Sequence, residues 1–362
     1  MVGSRVRSDH DVGVADTALT DLDRELLNAL QWDFPLGARP FAALGSRLGI
    51  TEPEVRERIA HVKASNVLRQ LSAIFDTRAL GYDSSLVAAK IDPGRVDEAA
   101  AAMSAHPGVS HNYKRNHDFN LWYTIAVPPG ESLEAHVGVL HDESGSVVTR
   151  RLPTLKLFKI GVKLDMTGET GADDKAEVLD HERPERRADM PAPALSDRDI
   201  ATIRVTQEDL PLVERPFGAQ ADIIGCTEDD VLRTLDSLRE RKLMRRFAAV
   251  MNHRSAGYKA NAMGVWAVPE ERIAEVGPQM AGFSRVSQCY RRPTYPDWPY
   301  SVFTMVHGHS ASECEETIAA IRAETGIDEC TLLWSIKEYK KTRVRYFTPD
   351  WDAWRAAHLA GV

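Results

Sequence analysis

Residues 19–27, LTDLDRELL, return at 195–203 as LSDRDIATI, and the same step of 176 positions holds for the next segments along the chain. FPLGARPF at 34–41 answers LPLVERPF at 210–217, GITEPEVRERI at 49–59 answers GCTEDDVLRTL at 225–235, and Gly81-Tyr82 answers Gly257-Tyr258. Farther on the step drifts, to 177 where Tyr113-Lys114-Arg115 meets Tyr290-Arg291-Arg292, and to 181 where Phe158-Lys159 meets Tyr339-Lys340. A spacing that holds within elements and slips only at loops is the signature of a duplicated module. Whatever fold the first copy adopts the second must adopt too, and 362 residues have room for both.

In each copy the elements can be placed by periodicity and caps. Asp21–Leu30 and Asp197–Val205 read as first helices, and Ser46-Arg47-Leu48 belongs to a second. Thr51 and Thr227 precede acidic turns, the arrangement that caps a helix and suits its dipole. Val55, Ile59 and Val62, like Val231, Leu235 and Leu238, carry third helices to about Ala64 and Arg241. Strand-like LRQLSAIF and MRRFAAVM come next. Then come a strand (SSLVAAKI; NAMGVWAV), a helix, a hairpin, a second helix and a last strand (TLKLFKIGVKL; LLWSIKEYKKTRVRYF). That order is β-α-β-β-α-β, the ferredoxin-like topology.

The expected fold is therefore α+β: a tandem duplication of a winged helix-turn-helix plus a ferredoxin-like domain. Helix-turn-helix domains are expected at 19–69 and 195–245, and ferredoxin-like domains at 70–165 and 246–347. Residues 166–194, rich in charge, proline and alanine, read as a linker. The two ferredoxin-like domains are expected to pair with each other by joining their sheets, which leaves room for a homodimer of the whole chain.

Composition narrows the function. A chain with 43% hydrophobic and 27% charged residues is soluble and globular. It has no apolar run of about 18 residues, so no membrane span is expected. The polar start, MVGSRVRSDHDVGVAD, lacks the apolar core of a secretory signal, and a cytoplasmic location is expected. The four cysteines all fall in the second half without a C-x-x-C pair, which argues against a metal, iron–sulfur or disulfide framework. Net charge is −8, whereas a protein that lives on DNA phosphates shows a basic face. The helix that would read DNA carries three acids and three bases in copy one, and five acids and three bases in copy two. Acids crowd the turn that would enter the major groove, so the expectation is against DNA binding. Arg39 and Arg215, beside the helix-breaking prolines 35, 40, 211 and 216, are read as structural.

The two hairpins, PGVSHNYKRNHDFNLWYTIAV at 107–127 and SRVSQCYRRPTYPDWPYSVFTMVHG at 284–308, are the least generic stretches. Each sets two cations (Lys114-Arg115; Arg291-Arg292) among aromatic and histidine side chains: Tyr113, His117, Trp122 and Tyr123, or Tyr290, Tyr295, Trp298 and His307. On a strand, neighbours face opposite sides, so only one cation of each pair can share a face. Guanidinium forks beside aromatic rings suit a flat, polyanionic ligand, the rings covering its face and the forks taking carboxylates. The plainer alternative is an exposed hairpin with solvated cations over a half-buried aromatic ladder.

The helix-turn-helix plus β-α-β-β-α-β arrangement resembles the Lrp/AsnC family over nearly the whole chain, twice. KRNHDFNLWYT and LPTLKLFKIG resemble one subunit type of the siroheme decarboxylases. YRRPTYPDWPYSVFTMVHG with SIKEYKKTRVRYF resembles the other. The fused form is similar to that of heme d1 biosynthesis. The resemblance implies loss of carbon dioxide from the C12 and C18 acetates of siroheme, leaving methyls. It implies no cofactor beyond that iron tetrapyrrole and no separate metal site.

On this basis Lys114, Arg115, Arg291 and Arg292 are expected to bind carboxylates, with Trp298 part of the aromatic wall. His117 is the first candidate proton donor, with Tyr113, Tyr290 and Tyr295 as alternatives. His307 stays open between iron ligand, proton donor and core histidine, and His253 beside Arg254 is a weaker candidate. Lys159, Lys337 and Lys340 are candidates for the rim. Two competing functions remain: an Lrp/AsnC-type DNA-binding regulator that senses heme or an amino acid, and a tetrapyrrole carrier.

Overall fold

A computed structural model describes residues 19–160, 193–251 and 260–359. Copy one runs α1 (Asp21–Trp32), α2 (Pro40–Leu48), α3 (Glu52–Ala64), β1 (Leu68–Phe75), β2 (Asp83–Lys90), α4 (Val96–Ala105), β3 (Val109–Arg115), β4 (Leu121–Val127), α5 (Leu133–Ser144), β5 (Val148–Leu152) and β6 (Lys156–Ile160). Copy two runs α6 (Asp197–Thr206), α7 (Pro216–Ile224), α8 (Glu228–Glu240), β7 (Met244–Met251), β8 (Ala260–Trp266), α9 (Ile273–Gly282), β9 (Val286–Arg291), β10 (Val302–Gly308), α10 (Ala311–Thr325) and β11 (Cys330–Lys341). Helix α11 (Asp350–His358) comes last. The expected α+β duplication is what folds. Nearly all of the 166–194 linker, with His253 and Arg254, lies outside the described residues.

The chain forms two compact units, one from the helix-turn-helix parts of both copies and one from both α/β parts. In the first unit the capping residues act as their spacing predicts. The Thr20 and Thr227 side chains accept from Asp23 N and Asp230 N while those aspartates cap back, and Thr51 accepts from Glu54 N. The prolines at 40 and 216 open α2 and α7, where their fixed φ suits a first turn. Gly49 and Gly225 end these helices in the left-handed region that favours glycine.

Arg39 and Arg215 each pair with the acid that opens the next helix, Glu52 and Glu228, which makes both structural. The copies meet through the β1–β7 ribbon, a stack of Phe34 on Phe247 at 5.2 Å, and a Lys63–Asp209 ion pair at 2.7 Å. Arg58 is held by Asp23 and Glu54, Arg233 by Asp230 and Arg239 by Asp236, so these helix cations already face acids.

The second unit is governed by an exchange of strands. Its nine-stranded sheet has the order β5-β2-β4-β3-β11-β8-β10-β9-β6. The first half of β11 pairs with β8 of its own copy, and the second half crosses to β3 of the other. Copy one makes the same crossing in two pieces, since β5 pairs with its own β2 and β6 pairs with β9 of copy two. Registers repeat down to the bulge, with Lys156 opposite Arg291 where Lys337 is opposite Lys114. The two strands at the ends of that order are thus consecutive pieces of one run, interrupted at Pro153–Leu155, so the chain joins one end of the sheet to the other. The single last strand expected over 154–164 is corrected accordingly. Its described part is a short strand given to the other copy, preceded by a strand the expectation lacked. Proline at 153 removes a ladder donor at the break.

The crossings are locked on both sides. Lys159 Nζ donates to Phe283 O at 2.8 Å and Lys340 Nζ to Ser104 O at 2.7 Å, each at the C-terminal end of a helix of the opposite copy, α9 and α4. Burial lowers both amines, so these lysines are interior caps rather than parts of a rim. Phe158 lies so close to Gly277 of α9 that a Cβ there would stand 2.3 Å from its ring. Lys337 binds Asp97 at the surface.

After β11 the chain lays α11 over the copy-one helices. Trp351 and Trp354 pack on His106 and His136, both fully buried. Gly108 N donates to His106 Nδ1 at 2.9 Å, which puts the His106 proton on Nε2, facing His136 Nδ1 at 2.9 Å; His136 Nε2 then faces Glu131 at 3.3 Å. Burial, with His136 and Lys340 adding to it, brings His106 down to about 2, and burial also lowers His136. An unfolded His106 binds a proton below about pH 6.5 while the folded one does not, so stability falls as the pH drops through that value. The expected loss from His106 is about 2 kcal/mol by pH 5. Copy two has Phe283 at the equivalent position. His106→Phe should therefore flatten the acid limb between pH 7 and 5 in urea titrations, even if it lowers stability at pH 7 by orphaning Gly108 N–H. An unchanged slope would assign the acid sensitivity elsewhere.

Candidate active site

Strand alternation splits each cation pair as the period requires. Arg115 and Arg292 turn into the seam where the faces of the two sheet halves meet, and Lys114 and Arg291 turn to the helix side. Arg291 is held by Glu270 at 2.6 Å, ahead of α9. Lys114 adds its charge to Tyr339 and Lys337, the larger influences that hold the Asp97 carboxyl low. One cation of each pair thus faces the seam, as alternation requires, and the plainer picture of solvated hairpin cations does not describe Arg115. Arg115 is only 7% exposed.

The seam-facing pair is related by the repeat. Arg115 Nη1 donates to Leu333 O at 2.9 Å, and Arg292 Nη1 donates to Leu152 O; the two acceptors are themselves equivalent at a step of 181. The Arg115 guanidinium lies 5.6 Å from the Tyr113 ring, and that of Arg292 lies 4.9 Å from Tyr290 and 5.3 Å from Phe303. Burial brings both down to about 10, with the neighbouring tyrosine opposing the drop. Part of the Arg292 side chain reaches the surface, but its guanidinium is enclosed. Both remain charged at neutral pH. Among the described residues no carboxylate pairs with either, and Nε of each has no acceptor.

Trp298, on the copy-two insertion, stands in the middle of the seam. It is 1% exposed and contacts His117 at 5.3 Å, Trp122 at 5.3 Å, Phe119 at 5.5 Å and Tyr300 at 4.9 Å. Ala88, Leu152, Met263, Val265, Phe303 and Leu333 complete a core drawn from both copies. The insertion is anchored on copy one: the Tyr295 hydroxyl donates to Arg151 O at 2.5 Å, and Arg150 forks onto Asp297 with both bonds at 2.9 Å. Tyr295 is thereby fixed as an anchor, its proton committed to a carbonyl.

The histidines fall into two sets. His117 Nδ1 accepts from Phe119 N at 3.0 Å, which places its proton on Nε2 beside Trp298. His307 lies five residues along β10 from Val302, the partner of Arg291, or roughly 17 Å at strand rise. It is hydrogen-bonded to Ser287 Oγ at 2.6 Å. Copy one has the same device from another strand: Ser110 Oγ lies 3.0 Å from His111 Nδ1. Ser110 and Ser287 are equivalent at a step of 177, and each sits at a register shift of its strand, a bulge that re-aims side chains. The sequence pattern singles out neither His111 nor the two serines, although the serines repeat at the hairpin's own step. Among the described residues no group of three His, Cys, Asp or Glu is arranged to hold a metal ion, and no helix is long and apolar enough to cross a membrane.

Burial lowers His117, opposed by Asp118 and reinforced by Lys90. An NMR titration should place its midpoint below 6.5. Asp118→Asn should lower it further and Lys90→Met should raise it; a midpoint at 6.5 that neither substitution moves would mean the ring is solvated.

Paired helix-turn-helix modules and paired α/β modules whose strands cross define an AsnC-type ligand-binding architecture, carried twice by one chain. Residues 79–159 and 255–340 match the AsnC-like ligand binding domain, and residues 23–69 and 199–245 match the siroheme decarboxylase NirDL-like HTH domain. The siroheme decarboxylase of Hydrogenobacter thermophilus is 39% identical over 331 residues, covering 91% of this chain and 96% of that protein. The siroheme decarboxylase beta subunit of Methanosarcina barkeri is 44% identical over 147 residues, covering 41% of this chain and 97% of the subunit. The crystal structure of the siroheme decarboxylase NirDL in co-complex with an iron-uroporphyrin III analogue matches with a TM-score of 0.76 and 33% identity, covering 94% of this chain and 99% of that one. The chain belongs to the siroheme decarboxylase family.

Proposed function

We propose that this chain is a carboxy-lyase that converts the C12 and C18 acetates of siroheme to methyls, with no cofactor besides the iron tetrapyrrole it acts on. The observation that carries this at the site is the pair Arg115 and Arg292: two enclosed guanidiniums with no acid among the described residues, flanking an aromatic seam. Buried charge is costly unless it is paired, and a substrate with several carboxylates supplies the pairs. The NirDL co-complex, in which an iron uroporphyrin occupies a relative of this fold, supports the same ligand class. Because the two halves already pair within one chain, the site needs no second copy.

In the reaction the bond between the acetate methylene and its carboxyl carbon breaks. The electron pair passes to the pyrrole, carbon dioxide leaves, and a proton takes its place on the methylene. Arg115 and Arg292 hold carboxylates that do not react, while Trp298, Trp122 and Phe119 exclude water from the one that does. His117, neutral in the free protein, gains proton affinity when a carboxylate arrives beside it and becomes the proton source. His111 and His307, each aimed by its serine, are the second pair of candidates; Tyr113 and Tyr290 stack on the arginines. The pairing of cations with acids in α3 and α8 gives no support to a DNA-reading role.

Anaerobic incubation with siroheme should yield pigment lighter by two carbon dioxide units, and unchanged mass would overturn the proposal. Arg115→Met and Arg292→Met should each weaken siroheme binding by about ten- to hundredfold. The fold should survive, since a buried cation without an acid gives little to stability.

A further inference from the structure

Among the described residues, three donors at the seam lack an acceptor: Arg115 Nε, Arg292 Nε and Trp298 Nε1. The indole is the informative one. Its neighbour Trp122 donates to Phe119 O at 2.7 Å, and Trp266, behind the sheet, donates to Thr304 Oγ1 at 3.0 Å. Trp351 Nε1 is also unpartnered, but it belongs to the α11 layer, away from the seam and its cations. Tryptophan is tolerated in a core where its N–H finds a partner, and a buried donor without one is left with its desolvation uncompensated. Trp298, 1% exposed and enclosed by His117, Phe119, Trp122 and Tyr300, leaves that cost standing in the free protein.

We propose that Trp298 Nε1–H is the positioning donor for a substrate acetate, the one that loses carbon dioxide. This rests on the proposed function. One physical argument selects the reacting acetate over a spectator propionate. A guanidinium would stabilise the carboxylate charge and oppose its conversion to neutral carbon dioxide. A neutral N–H orients the group with less of that ground-state stabilisation. The seam thus divides the work: cations hold spectator carboxylates, and the indole holds the reacting one.

The test compares two ligands that differ only in acetates. Iron uroporphyrin carries four acetates and four propionates; iron coproporphyrin has methyls in place of the acetates. Trp298→Phe should lower affinity for iron uroporphyrin by about tenfold and leave iron coproporphyrin within about twofold, because only the charged hydrogen bond is lost. Equal losses for both ligands would make Trp298 a packing residue, and no loss for either would remove the contact; both results overturn the proposal. If Trp298→Phe does not fold, the wild-type protein gives the same answer by NMR. Zinc uroporphyrin should move one of the seven tryptophan indole N–H signals farther downfield than zinc coproporphyrin does, since the two macrocycles share their ring current; equal shifts overturn the assignment. Failure of wild-type turnover with siroheme while the uroporphyrin-specific effect persists would sink the decarboxylase proposal and leave the contact intact.

Discussion

Each α/β copy, taken alone, ends its sheet with a strand that has paired over half its length. The second half of β11 and the whole of β6 find partners only in the other copy. An unpaired strand edge is a liability that proteins close or cover, and here the two crossings close it reciprocally. The rest of the α/β unit depends on this exchange. It brings the faces of the two half-sheets together, so the seam core is drawn from both copies. It places Phe158 against Gly277, and it delivers Lys159 and Lys340 to the ends of helices they did not grow from. Neither copy could reach this state alone.

The seam inherits an electrostatic imbalance from the same exchange. The carbonyls that accept from Arg115 and Arg292, Leu333 and Leu152, lie on strands of the opposite copy. Each guanidinium is thereby oriented without being neutralised. Elsewhere the chain matches charges closely, as with Arg39 and Glu52 or Arg150 and Asp297. The contrast sets these two guanidiniums apart from the other described cations, at a real desolvation cost. Surface cations such as Arg291, already beside Glu270, bear no such cost.

The module, its duplication and the aromatic-cationic hairpins can be read from the chain because they rest on spacing: a repeat step, helix caps, strand alternation. Alternation alone even separates Lys114 from Arg115. What escapes is everything set by the crossing. Lys159 and Lys340 look like solvated cations in a one-dimensional pattern, since nothing local announces the carbonyls of another copy. Ser110 and Ser287 escape for a different reason. Serine in a strand is unremarked until a bulge turns it toward a histidine, and that histidine comes from β3 in one copy and β10 in the other. The positions of Arg115 and Arg292 are legible; their burial is not, because hairpins are ordinarily solvent-facing.

Divergence between the copies obeys the same division. Positions that hold the exchange are kept in kind: Lys159 with Lys340, Arg115 with Arg292, Tyr113 with Tyr290, Ser110 with Ser287. Positions free of that duty have drifted. Copy one has His106 where copy two has Phe283, and the short loop 116–120 faces the insertion that carries Trp298. Only one Trp298 exists for two equivalent arginines, so the seam is symmetric in its cations and asymmetric in its floor. Under the proposed function, a pseudo-twofold cradle with an asymmetric floor presents different acetates of one macrocycle to different side chains. Duplication accounts for the paired arginines, and the insertion in one copy breaks their equivalence by adding Trp298.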